Sequence, residues 1–138
     1  MPAKDFLHNA VRTALEKDGW TITHDPLTIE LTRFNLYIDL AAERIIAAER
    51  EGQYIAVEIK SFVGESFLSQ FHLALGQILN YRTALRSVSP QRTLYLALPD
   101  SVYNEFFTDP FIQNQLHEYN IKLIVIDALH EEIATWTE

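Results

Sequence analysis

The seven residues IKLIVID, Ile121 to Asp127, restrict the fold more than any other stretch of the chain. A run that is apolar at nearly every position cannot alternate a dry face with a wet one. It reads as a strand covered on both sides, as in the interior of an α/β sheet. RTLYLALP, Arg92 to Pro99, is a second short apolar strand, stopped by its proline. Around these two runs the remaining pattern falls into place. Residues 3–18 set Phe6, Ala10, Val11, Ala14 and Leu15 at helical spacing, and Asp18-Gly19 ends them. Trp20 to Asp25 alternates as a short strand ahead of Pro26. FNLYIDLAAERIIAAEREGQYIAVEIKSF alternates on either side of the turn-like EREG and predicts two or three antiparallel strands. Glu65 to Ser87 is the longest helical pattern, with Phe67, Phe71, Leu75, Ile78 and Leu85 as its apolar stripe. Residues 100–119 predict one helix broken at Asp109-Pro110, or two short ones. The expected fold class is therefore α/β: a mixed central sheet flanked by helices, antiparallel at the front with a parallel crossover at the back. No repeat, linker or low-complexity segment interrupts the 138 residues, so one domain is expected.

Composition removes several kinds of chemistry. There is no cysteine, which excludes disulfides, thiolate zinc sites and cysteine nucleophiles, and suits a reducing cytoplasm, the expected location. The five histidines show no HxxxH or HExxH spacing, and no phosphate-binding glycine loop occurs. The opening MPAKDFLHNAVRTALEKDGW is charged and amphipathic rather than a secretory leader, and no run has the length of a membrane span. A net charge of −8 argues against a general nucleic-acid coating protein. The charge is uneven, however. Residues 60–98 carry Lys60, Arg82, Arg86 and Arg92 against Glu65 alone, whereas residues 99–138 carry Lys122 against eight acids. The net charge therefore leaves nucleic acid open as a partner, and the acidic tail is a solvated face or a surface for a basic partner.

Within YIAVEIKSF, Tyr54 to Phe62, alternation sends Ile55, Val57 and Ile59 to one face and Ala56, Glu58 and Lys60 to the other. An ion pair inside an otherwise apolar strand returns little stability, because surface pairs contribute about 0–1 kcal/mol and buried ones are costly to desolvate. Asp39, in NLYIDLAAE, follows the same alternation, with Leu36, Ile38 and Leu40 on the opposite side. If the two strands are neighbours, Asp39 and Glu58 converge. Two carboxylates suit a hard divalent cation, Mg²⁺ or Mn²⁺, with the Ile59 carbonyl as an extra ligand and water and substrate phosphate completing the set. Lys60 would then stabilise charge developing on an attacking hydroxide or a phosphate oxygen. Gln77 and Tyr81, one turn apart, share a helical face from which they can meet such a site.

Asp39 followed by Glu58-Ile59-Lys60 resembles the metal-binding motif of the PD-(D/E)xK nucleases, and Gln77…Tyr81 resembles the QxxxY element of their RecB-like branch. Ile38 stands where that motif has proline. The resemblance implies a restriction-endonuclease-like core in which Asp39, Glu58 and Ile59 hold the metal and Lys60, Gln77 and Tyr81 assist. MPAKDFLHNAVRTALEKDGWTITHDPLTIE, IDLAAERIIAAE, VEIKSFVGESFLSQFHLALGQILNYR and LYLALPDSVYNEFF resemble the XisH family, over almost the whole chain. Those proteins are controlling factors for excision of the fdxN element, a DNA segment that interrupts a nitrogen-fixation gene. The resemblance implies partners: DNA, a site-specific recombinase and the small protein XisI. Two functions fit: a metal-dependent deoxyribonuclease, and a non-catalytic regulator that binds recombinase, DNA or XisI through an inactive nuclease fold. A homodimer is a further expectation, with IKLIVID near its interface.

Other polar residues have plainer readings. Glu43 is a turn residue or a partner for Arg44, and Asp39 can serve as a strand-terminal cap. Asp5 and His8 lie on the first helix, able to approach the site or to face solvent. Arg82 and Arg86, one turn apart, can touch a phosphate backbone or simply complement a helix C-terminus.

Overall fold

The computed structural model describes residues 3–38, 40–44, 52–64 and 66–137, with side chains described for 6–36, 52–64 and 66–137. Helix α1 (Ala3–Lys17) forms where the helical spacing predicts it and buries Leu7, Val11, Ala14 and Leu15. It stops at Gly19, whose φ of 91° is a left-handed conformation that glycine adopts without a Cβ clash. Strand β1 (Trp20–His24) follows, then a small hairpin of β2 (Leu27–Glu30) and β3 (Asn35–Ile38). Strands β4 (Leu40–Arg44) and β5 (Gln53–Ile59) come next, and then the long helix α2 (Phe67–Val88). Strand β6 (Arg92–Pro99) leads into a short helix α3 (Asp100–Val102) that widens into a π-helical turn over Tyr103–Phe107. Helix α4 (Pro110–Glu118), β7 (Lys122–Asp127) and β8 (Glu132–Trp136) complete the order.

Six strands form one sheet in the order β1-β4-β5-β6-β7-β8. Its front pairs, β1 with β4 and β4 with β5, are antiparallel; β5, β6 and β7 run parallel, and β8 returns antiparallel to β7. The parallel pair β5–β6 is bridged by α2, the crossover that parallel neighbours require. One face of the sheet meets α1: Ile55, Val57 and Ile59 pack there with Tyr95, Ala97, Ile124 and Ile126. The other face meets α2 and α4, where Ala56, Leu94, Leu96, Leu98 and Leu123 lie under Phe71, Ile78, Phe107 and Leu116. β6 and β7 are thus covered on both sides, which is why RTLYLALP and KLIVID carry apolar residues without alternation.

Two expectations change. The expected strand through Leu36, Ile38 and Leu40 serves two sheets: residues up to Ile38 pair with β2 in the hairpin, those from Leu40 pair in the main sheet, and Asp39 between them lies outside the described residues. The hairpin partner β2 is only four residues long, and its alternation delivers a single buried side chain, Ile29, to the α2 side, so its periodic signal is weak. β8 is likewise unanticipated, because an edge strand reading EIATW is mostly exposed and pairs on one side only. At α2, Ser66 is the N-cap, its hydroxyl accepting from Ser69 N–H, so the helix begins at Phe67 and the expected first residue, Glu65, lies outside the described residues. No helix among the described residues is long and apolar enough to cross a membrane.

Candidate functional site

Glu58 sits next to the end of β5, on the face that Ala56 shares with the α2 layer. It is 5% exposed and is the one polar or charged side chain in the buried set among the described residues. The strand geometry continues past Ile59, because the Lys60 N–H donates to the Ala97 carbonyl at 3.0 Å. Lys60 consequently returns to the Glu58 face, and its Nζ lies 3.5 Å from Glu58 Oε1 with the side chain a quarter exposed. The separation is that of an ion pair longer than a well-formed charged hydrogen bond.

The chain leaves this strand through a tightly held turn. Phe62 has a φ of 56°, an uncommon conformation for a bulky residue that surrounding contacts must enforce. Here the ring is buried against Phe67 and Phe107, with centroids 5.5 and 5.4 Å away. Gln70 reaches back from α2 to donate to the Val63 carbonyl at 2.8 Å. Gly64 has a φ of 141°, and a Cβ there would collide with the Gln70 amide. Phe62, Gly64 and Gln70 therefore fix the turn that follows Lys60, a role without a periodic signal in the sequence.

Of the other expected site residues, Asp39 lies outside the described residues. Its chain neighbour Leu40 begins β4 and pairs with Val57, the residue before Glu58, so β4 and β5 are adjacent. Ile59 is buried on the α1 face. Gln77 and Tyr81 lie on the part of α2 that faces the β2–β3 hairpin, lining with Leu31, Phe34 and Leu36 a groove of about 600 Å³. Gln77 Oε1 is buried there and accepts no hydrogen bond from a described residue. Tyr81 packs against the same core as Ala56, so both pairs, Glu58–Lys60 and Gln77–Tyr81, belong to the layer between sheet and α2.

α1 covers the opposite face. His8 does not approach Glu58 from there but bridges to Asp25 at 2.9 Å, beside Arg12, which donates to the same carboxylate oxygen at 2.7 Å. The side chains of Asp5, Glu43 and Arg44 lie outside those described. Arg82 donates to the carbonyls of Tyr119 and Asn120 at 2.7 and 3.2 Å, just past the end of α4, so its first duty is to satisfy a helix terminus. At the β7–β8 turn, the hydrogen bond that His130 Nδ1–H donates to the Asp127 carboxylate holds the His130 pKa above the usual histidine range and Asp127 below the usual carboxylate range.

The groups expected to hold a metal, the Glu58 carboxylate, the Ile59 carbonyl and Asp39 (the last outside the described residues), would all offer oxygen. Hard oxygen donors suit Mg²⁺ or Mn²⁺ and not a soft or thiophilic metal. Among the described residues no group of three or more His, Asp or Glu gathers around one point. A site with one or two carboxylates is compatible with Mg²⁺, which keeps several waters and shares substrate oxygens.

Comparison with known proteins places this geometry in context. The family model described as XisH protein matches residues 1–134. No curated protein gives a significant match. Among solved structures, a crystal structure of an XisH family protein from Nostoc punctiforme PCC 73102 is 47% identical. It superposes with a TM-score of 0.88 over 97% of this chain and 100% of that one. A crystal structure of a fdxN element excision controlling factor protein from Anabaena variabilis is 48% identical, with a TM-score of 0.87 over 97% of this chain and 99% of that one. Nearly full-length agreement in both sequence and fold establishes that the chain belongs to the XisH family.

Proposed function

We propose that the protein acts in the controlled excision of a DNA element and hydrolyses phosphodiester bonds at the end of β5, on a restriction-endonuclease-like core within one domain. Membership of the XisH family and the excision-controlling relative from Anabaena variabilis support the biological setting. One observation carries the chemical part: Glu58 is the single charged residue that the described core retains, near the end of a strand whose other buried side chains, Ile55, Ala56, Val57 and Ile59, are all apolar. Burying a carboxylate is costly unless something is gained for it. Metal-dependent phosphoryl chemistry supplies that gain. Asp39, joined to the residue that pairs with Val57, is the proposed second carboxylate. Bound Mg²⁺ or Mn²⁺ would supply Lewis-acid polarisation of the scissile phosphate. Lys60 holds positive charge beside Glu58, where it would meet a phosphate oxygen as negative charge develops. Gln77 and Tyr81 would orient the substrate strand or a water from the α2 side.

A second reading rests on the depth of Glu58. With 5% exposure and Lys60 beside it, the pair also suits an inactive nuclease fold that regulates a recombinase or binds XisI by its surface. Excision measured in cells separates the two. The catalytic reading expects element excision to be lost with Glu58→Ala and with Lys60→Ala at unchanged protein level; excision that survives both substitutions leaves only the regulatory one.

A further inference from the structure

The protein carries a net charge of −8, yet four cations gather where the end of α2 meets the starts of β6 and β7. Arg82, Arg86, Arg92 and Lys122 line a pocket of about 430 Å³ above Leu85 and Leu94, and Glu118 is the one acid beside them. Two of the cations are already anchored. Arg82 Nη1 donates to the Tyr119 and Asn120 carbonyls, and Arg92 Nη1 donates to the Ile55 carbonyl at 3.1 Å. The Arg92 guanidinium also stands 5.8 Å from the centre of the Tyr54 ring. These contacts hold two guanidinium forks in fixed positions, each with further N–H groups to offer.

Arg86 and Lys122 have no comparable duty. Neither forms an ion pair or side-chain hydrogen bond with any described residue, and Glu118 pairs with none of the four. The C-termini of α2 and α4 favour a cation nearby, and Arg82 already meets that need. They do not account for four positive groups around one depression with a single unpaired acid. Like charges lining one pocket repel, so an anionic ligand would relieve the cluster.

We propose that this pocket binds a phosphate group, presented by the backbone of a nucleic acid or as free phosphate. A carboxylate offers two oxygens, which two cations satisfy; a tetrahedral phosphate offers acceptors to groups converging from several directions. The pocket is distinct from the Glu58 end of the sheet. Arg92 pairs with Tyr54, four residues before Glu58 on β5, about 13 Å away along the strand. The proposal therefore stands apart from the nuclease reading and does not require cleavage.

The test uses the full-length protein in EDTA, so that no metal-dependent step contributes. Anisotropy of fluorescein-labelled single-stranded and duplex DNA is followed against salt, with wild type, the Arg86→Ala/Lys122→Ala pair and Arg86→Lys. The expected result is about tenfold weaker DNA binding in the double variant. Its log–log salt dependence should flatten by about one contact's worth, a slope change near 0.9 on duplex, while Arg86→Lys keeps most of the affinity. Competition by inorganic phosphate in wild type alone also supports the site. Affinity and slope unchanged in a double variant that keeps wild-type circular dichroism overturn the proposal. So does capture of labelled oligoglutamate in place of both DNA and phosphate, which would mark a surface for an acidic protein.

Discussion

At the scale of single residues, the Glu58–Lys60 pair is asymmetric. Glu58 is nearly sealed in the layer under α2, whereas the Lys60 ammonium remains within reach of water. Removing the lysine takes the cation away from a nearly buried carboxylate; removing the carboxylate leaves a cation that can turn outward. Urea denaturation should therefore show Lys60→Met losing about 1–3 kcal/mol, with Glu58→Leu unchanged or more stable. A large loss in Glu58→Leu would mean that the acid is kept for stability. The alternation in YIAVEIKSF was enough to place Glu58 opposite Val57 and Ile59, since period-2 patterning decides the face of a strand. Phe62 and Gln70 were not legible in the same way: a left-handed turn residue and a side chain donating to a carbonyl seven positions away leave no periodic trace. A second residue-scale prediction concerns His130. Its hydrogen bond to Asp127 raises its folded pKa, so its stabilising contribution is complete below about pH 6.5 and fades as the pH rises through the folded value. Asp127, lowered by the same bond, contributes above about pH 3.9 and loses its contribution as the pH falls through its own folded value. Imidazole NMR titration should find His130 above the usual range in wild type and back near it in Asp127→Asn.

At the scale of elements, α2 links the candidate site to the core. Its N-cap Ser66 and the aromatic group of Phe62, Phe67, Phe71 and Phe107 bind the start of the helix to the turn that follows Lys60. Ser66→Ala should cost about 1 kcal/mol through the lost cap. Phe107→Ala, which empties a fully buried position in this group, should cost about 3–5 kcal/mol, read as a lowered denaturation midpoint. Long periodic elements were legible: α1, α2, β6 and β7 stand within a residue or two of where the apolar spacing puts them, and β5 begins one residue before Tyr54 but ends at Ile59, three short of Phe62. The β2–β3 hairpin and β8 were not. A four-residue strand and a mostly exposed edge strand carry few apolar positions, and their pairing is decided by partners distant in sequence. Leu31, Phe34 and Leu36 of that hairpin form the wall opposite Gln77 and Tyr81.

At the scale of the whole molecule, charge and topology divide the labour. Both β5 and β6 reach their C-terminal ends beside Glu58 and Lys60, where the parallel strands, the α2 crossover and the β4 strand converge. The four-cation pocket lies where β6 and β7 begin, and the acidic residues after Pro99 leave the remaining surface strongly negative. The sequence showed a positive middle segment, but only the fold brings Lys122, forty residues beyond Arg82, beside it. The central claim is that the buried carboxylate at the end of β5 is kept for metal-dependent DNA hydrolysis. Its most direct test incubates purified protein with supercoiled, branched and single-stranded DNA in Mg²⁺ or Mn²⁺, alongside Glu58→Ala. The account predicts cleavage by wild type that chelation stops and that Glu58→Ala lowers at least ~100-fold, as removal of a group stabilising transition-state charge does. Intact DNA on every substrate with wild type, or equal cleavage by Glu58→Ala, would contradict it.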